Sequence, residues 1–282
     1  MHQNGIALNY APLYLIKPLN IEAVYQINSN KLRTFTAPNI KAKFLSVLLL
    51  WVSISTFSQP AQGTTQEKTV YIFSGLGADS IPFANLKLPG YRKVYISWVT
   101  PLQDESLSDY AGRIKDQITT KDPYIIGLSF GGILAVEVSK QISVHKMVLI
   151  SSAKTSDELN PAQFFFMRIG LYRIIPGFLL KQTNFLTYGY FGAHSDGDKK
   201  ALLKLLQSTD ISLFRWGLKS IALWDNKVAP ERTIQIHGTA DKVIAARRVK
   251  PDYSIEGGGH LMILNRADTI SKIILHYFNS NF

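Results

Sequence analysis

From Thr69 onward, short apolar runs alternate with stretches of helical periodicity. Val70-Tyr71-Ile72-Phe73 is a β-prone run that ends in Ser74-Gly75-Leu76-Gly77-Ala78-Asp79. A second run, Val94-Tyr95-Ile96, lies within Tyr91 to Trp98. Ser108 to Ile118 brings Tyr110, Ala111, Ile114 and Ile118 to one helical side. Tyr124 to Leu128 reads as a strand, Gly131 to Lys140 as a helix, and Lys146 to Ile150 as a strand again. These strands are short and apolar and do not alternate strictly. Strands buried on both faces of a parallel sheet read this way.

The alternation stops at about Thr155 and resumes after Pro230. Between them lie aromatic stretches, Phe164-Phe165-Phe166-Met167 and Phe185 to Phe191, and helical patterns around Ala201 to Leu206 and Ile211 to Trp224. A structureless loop of that length is improbable inside a compact domain, so the segment predicts an inserted helical subdomain. Thr233 to Ile236 and Tyr253 to Ile255 then read as strands, and Ala267 to Phe278 as a closing helix. The predicted fold class is α/β, a mostly parallel sheet flanked by helices with a helical insertion. The expected division is a core over 63–154 and 230–282, an insertion over 155–229 and a leader over 1–62.

The leader carries its own pattern. Phe44 to Phe57 is an uncharged apolar run, preceded by Lys41 and Lys43 and followed by small polar residues. A basic, then apolar, then small-polar order is that of a secretion signal. The run is short for a bilayer-spanning helix, which needs roughly 17 to 25 residues. Residues 41–61 are therefore expected to be a signal peptide or membrane anchor, with a buried helix of the fold as the alternative. That expectation implies a secreted or periplasmic location, with or without membrane association through this segment. The alternative is cytoplasmic.

Composition narrows the classes. The chain has 282 residues, 46% hydrophobic and 18% charged, as a folded protein does. It contains no cysteine, which excludes disulfides and thiolate metal sites. The formal net charge is +11, of which the first 61 residues supply +4. The basic residues are dispersed, with only short pairs such as Lys199-Lys200 and Arg247-Arg248. No basic stripe interleaved with aromatics exists, so no nucleic-acid partner is expected. Walker-type and G-x-G-x-x-G phosphate loops and H-E-x-x-H are absent. No cofactor and no metal is expected.

Gly127-Leu128-Ser129-Phe130-Gly131 sits between a strand and a helix, the setting of a nucleophile elbow. A serine hydroxyl is a poor nucleophile near neutral pH and needs a base, which in turn needs an orienting acid. Asp241 lies in the loop after the strand at Thr233. His260 lies in the next such loop, after Glu256-Gly257-Gly258-Gly259. Their order, serine then acid then histidine, is the one such a fold requires. His237 is a rival base that reads better as structural. Asp225, Asp252 and Glu256 are rival acids, and Asp79 and Glu137 read as structural. An oxyanion needs N–H donors. The Phe130 N–H directly after the serine is one candidate, and the Leu76 N–H, with Gly75 beside it, is the other.

From Thr69 to the C terminus the chain resembles an α/β-hydrolase, most closely the small esterase-like bacterial serine hydrolases with a helical cap. The residues that carry the resemblance are Phe73 to Asp79, Gly127 to Gly132, the H-G-T-A-D stretch ending at Asp241, and Gly258-Gly259-His260. It implies Ser129 as nucleophile, Asp241 as acid and His260 as base, with the insertion as the cap. Two departures are visible. Ser74-Gly75 stands where the family often has His-Gly, and the antiparallel strands that usually begin the sheet are not evident before Thr69. The expected activity is hydrolysis of a small or medium-chain apolar carboxylic ester through an acyl-enzyme. An amide, thioester or lactone would use the same machinery, and a non-catalytic ligand-binding protein is the alternative of a different class. The expected partner is a small acyl substrate. Phe164, Phe165, Phe166, Met167, Phe185, Tyr188, Tyr190 and Phe191 either line an acyl pocket or pack the insertion onto the core.

Overall fold

The computed structural model describes residues 68–170, 176–177 and 183–281. The expected leader, with its apolar run, lies outside the described residues, as do the side chains of Phe164, Phe166 and Met167.

Six strands form one sheet: β1 (Lys68–Phe73), β2 (Tyr91–Tyr95), β3 (Tyr124–Leu128), β4 (Lys146–Ile150), β5 (Thr233–Gly238) and β6 (Tyr253–Ile255). Their order is β2-β1-β3-β4-β5-β6, and every neighbouring pair is parallel. Ile72 pairs with Ile126, Ile126 with Val148, and Val148 with Ile234 across the middle. All residues of β3 and β4 are buried, which explains the apolar runs Tyr124-Ile125-Ile126 and Met147-Val148-Leu149-Ile150. Among the described residues no antiparallel strand joins the sheet.

Side chains along each strand alternate between two cores. Tyr71, Phe73, Ile125 and Leu149 face one, with α1 (Leu107–Ile114) and α2 (Phe130–Ser139) packed there. Val70, Ile72, Ile126 and Val148 face the other, covered by Ile270, Ile274 and Phe278 of the closing helix. The insertion between β4 and β5 contains four described helices: α3 (Pro161–Arg168), α4 (Phe185–Phe191), α5 (Asp196–Ser208) and α6 (Ile211–Leu223). After β6 come a short α7 (Met262–Asn265) and α8 (Ala267–Asn279). Among the described residues no helix is long and apolar enough to cross a membrane.

Local chemistry explains where the elements begin and end. Ser106 caps α1, its side chain accepting from the Asp109 N–H, and regular helix ends at Ile114 with a 3-10 turn over 115–117. The pattern reaching Ile118 therefore spans a helix and its tight exit turn. Helix α5 starts at Asp196, earlier than its apolar periodicity, because Ser195 and Asp198 form a capping box. Asp210 caps α6 by accepting from Ser212 N and Leu213 N. Strand β5 runs on to Gly238 and so includes His237.

The chain moves from β1 outward to β2, then crosses back to place β3 on the other side of β1. The loops after β1 and β3 therefore diverge, which opens a crevice at the carboxyl ends of the strands. Ser74 to Ala78 lies on one side of it and Ser129 on the other.

Candidate active site

Ser129 occupies a turn that its residue type resists. Its φ of 52° and ψ of −125° lie in a region that costs a non-glycine residue on the order of 1–3 kcal/mol. The surroundings hold it there. Ser129 N donates to Ile150 O at 3.0 Å, and its carbonyl accepts from Gly132 N at 2.9 Å and from Ser152 Oγ at 2.7 Å. The flanking glycines are required by close approach. A Cβ on Gly131 would stand 2.0 Å from Ser74 O, and one on Gly127 would stand 2.4 Å from the Gly132 Cα. The outcome is a half-buried serine hydroxyl at the carboxyl end of the central strand.

The structure brings Asp241 and His260 to that hydroxyl. His260 Nε2 lies 2.8 Å from Ser129 Oγ, and His260 Nδ1 lies 2.9 Å from Asp241 Oδ2. A carboxylate only accepts, so Nδ1 carries the hydrogen and Nε2 is free to accept from the serine hydroxyl. Asp241 Oδ1 accepts from Val243 N at 2.9 Å and Ile244 N at 3.1 Å, which fixes the carboxylate plane. Both Asp241 and His260 are buried. Of the rival acids, Asp252 is engaged elsewhere: it accepts from Lys154 Nζ and Gln235 N. Glu137 accepts from Trp224 Nε1, and Asp79 accepts from Ile81 N.

The loop after β1 lies beside the serine. A Cβ on Gly75 would come within 3.9 Å of Ser129 Cβ. Ala78 N donates back to Gly75 O at 2.8 Å, and Ser74 Oγ donates to Asp79 O at 2.7 Å. Ser74 thus closes its own loop. Among the described residues, no protein acceptor takes the Leu76 or the Phe130 N–H. Trp98, which the sequence did not single out, joins the two donor segments. It stacks on Phe130 and donates from Nε1 to Ala78 O at 3.0 Å. No local motif marks it, because its contacts come from the fold.

A cavity of about 160 Å³ opens at Ser129 and His260. Its far wall is apolar, formed by Leu202, Leu205 and Leu206 of α5 and Phe214, Leu218 and Ile221 of α6. Of the two roles left open for the aromatic stretches, lining is met at one described position. Of the eight residues proposed for it, Phe191 is the described one that reaches the cavity. Phe165, Phe185 and Tyr190 are solvent-exposed, and Tyr188 bonds Thr183 Oγ1 at 2.8 Å. Helical periodicity assigns α5 and α6 an apolar side without saying whether it meets a core or a cavity. Wider hollows occur elsewhere, such as one of about 470 Å³ beside Asn85 and Arg266, but that one holds none of these residues.

The insertion also grips the histidine loop. Leu261 N donates to Phe191 O at 3.2 Å, and the Phe191 ring meets His260 edge-on at 5.7 Å. His237, the rival base, is buried in β5 with Nε2 2.9 Å from Ile244 O. Burial holds its pKa below the ordinary histidine value, against the pull of Asp241. It does not reach Ser129, whose bonded base is His260.

Comparison with known proteins agrees with this architecture. Among curated proteins none matches the chain. Solved structures with the same fold include an enol-lactonase from Burkholderia xenovorans, at a TM-score of 0.61 and 14% identity over 76% of this chain and 92% of that one. An esterase from Exiguobacterium antarcticum follows at 0.60 and 16%, over 76% and 92%. A bromoperoxidase from Bacillus anthracis matches at 0.57 and 14%, with the same coverage. At such identities the likeness concerns the fold. The model of the alpha/beta hydrolase family matches residues 57–272, and the chain belongs to that family.

Proposed function

We propose that the protein is a serine hydrolase that cleaves carboxylic esters with a small or medium-chain apolar acyl group. The observation that carries this reading is the bonded line from Ser129 Oγ through His260 to Asp241, 2.8 Å and 2.9 Å, at the mouth of an apolar cavity. His260 Nε2 takes the Ser129 proton as Oγ attacks the ester carbonyl. The Phe130 and Leu76 N–H groups stabilise the oxyanion, which collapses to an acyl-serine as the alcohol leaves with the proton from His260. Water then repeats the sequence, deprotonated by His260, and frees the carboxylic acid. Asp241 keeps the proton on Nδ1 and stabilises the imidazolium.

The cavity argues for a modest acyl chain. It is smaller than the roughly 300–1,000 Å³ of sites for drug-sized ligands, and its α5 and α6 wall offers a charged substrate no partner. p-Nitrophenyl esters of graded acyl length, with matched anilides, thioesters and lactones, test the reading. Short to medium straight-chain esters should give the highest kcat/KM, falling as the chain outgrows the cavity. Turnover of anilides with none of any ester would overturn it.

A further inference from the structure

His237 has its own place in this site. It stands on β5, four residues before Asp241, and is 1% exposed. Its Nε2 lies 2.9 Å from Ile244 O and 3.4 Å from Asp241 Oδ2. A carbonyl oxygen only accepts, so Nε2 bears the hydrogen. Nδ1 is buried and has no partner among the described residues. A buried N–H without an acceptor would be costly, so Nδ1 is the bare nitrogen and the ring is neutral. The charged and titratable groups facing the ring are Asp241, Glu158 and His260. The two carboxylates favour its protonation, and His260 and burial oppose it. Burial is the largest of these and prevails.

Asp241 Oδ2 accepts from His260 Nδ1 at 2.9 Å, and the His237 Nε2–H, whose hydrogen bond goes to Ile244 O, lies 3.4 Å from the same oxygen. Ile244 is held from both sides: its N–H sits on Asp241 Oδ1 and its carbonyl on His237. Resting on the hydrolase reading above, we infer that His237 is a positioning residue for Asp241. It locks the Asp241 to Ile244 turn and sets the positive end of its Nε2–H dipole beside Oδ2, tempering the carboxylate that His260 sees. That dipole stabilises part of the charge of Oδ2. Without it the carboxylate stabilises the His260 imidazolium more strongly, and His260 becomes a base only at higher pH. A purely structural histidine would lower activity equally at every pH.

The test follows the rate of fluorophosphonate labelling of Ser129 against pH in the full chain, for wild type, His237→Phe and His237→Gln. The Phe variant loses the donor and the Gln variant keeps an N–H. The acid limb should move up in His237→Phe by about half a unit, less than a hydrogen bond to a charged group is worth. It should return to the wild-type position in His237→Gln. If the Phe variant does not fold, His237→Ala replaces it, since it removes the donor without crowding the site. An unmoved acid limb overturns the inference, and so does failure of both variants to fold, which would make the residue structural. Absence of any Ser129 labelling in wild type overturns the hydrolase reading itself, a result distinct from labelling with an unmoved limb.

Discussion

The indole of Trp98 lies flat against the ring of Phe130, centroids 5.7 Å apart and planes 9° from parallel. The same indole donates to Ala78 O in the loop after β1. One side chain thus spans the two backbone segments that supply the proposed oxyanion donors. Trp98→Phe keeps an aromatic face on Phe130 and deletes the bond to Ala78. Losing an oxyanion donor outright costs about 10²- to 10³-fold in kcat, so loosening one should cost about tenfold, with KM little changed. Steady-state kinetics on the best ester separates the two parameters. A rise in KM at unchanged kcat would assign Trp98 to substrate binding instead.

Gly192 and Gly259 touch backbone to backbone. A Cβ on Gly259 would stand 2.7 Å from the Gly192 Cα. This contact seats the end of α4 on the residue before His260. Gly259→Ala must push the two segments apart, because neither side can yield by rotating a side chain. Overpacking of this kind costs about 1–3 kcal/mol, readable in urea unfolding. Ester turnover should fall further than the stability loss explains, since His260 moves with its loop. Wild-type stability and turnover in Gly259→Ala would mean that the contact is loose.

The elements that carry chemistry were legible because their constraints are local. Ser129 sits between glycines that steric contact demands, and Asp241 and His260 each follow a short β-prone run, Thr233 to Ile236 and Tyr253 to Ile255. The cavity wall was not legible. Leu202, Leu205 and Leu218 obey the same helical periodicity as core residues. The aromatic stretches that drew attention instead place Phe185 and Phe165 in solvent. Trp98 and Phe191 act through contacts that only the assembled sheet and insertion create. Residues 1–67, where the sequence shows no evident antiparallel strand, lie outside the described residues, among which every neighbouring strand pair is parallel.

Stability should depend on pH through His237. Its folded pKa is depressed by burial, so the unfolded chain binds a proton more readily. The contribution is fully present above the unfolded value of about 6.5 and is lost as pH falls below it. Glu105 acts in a lower window. The Arg113 hydrogen bond holds its carboxyl below the usual range, so its contribution is lost as pH falls below the ordinary carboxylate value. Urea midpoints should decline in two stages on acidification, and His237→Gln should flatten the upper one. An upper stage of equal size in that variant would assign it to other groups.

The central claim is that Ser129 forms the acyl-enzyme. Turnover of the best p-nitrophenyl ester by Ser129→Ala, beside wild type, tests it most directly, with thermal unfolding as a check on folding. The account predicts a loss of about 10⁴- to 10⁶-fold in kcat with the unfolding transition retained. A folded Ser129→Ala variant that turns over within tenfold of wild type would contradict it.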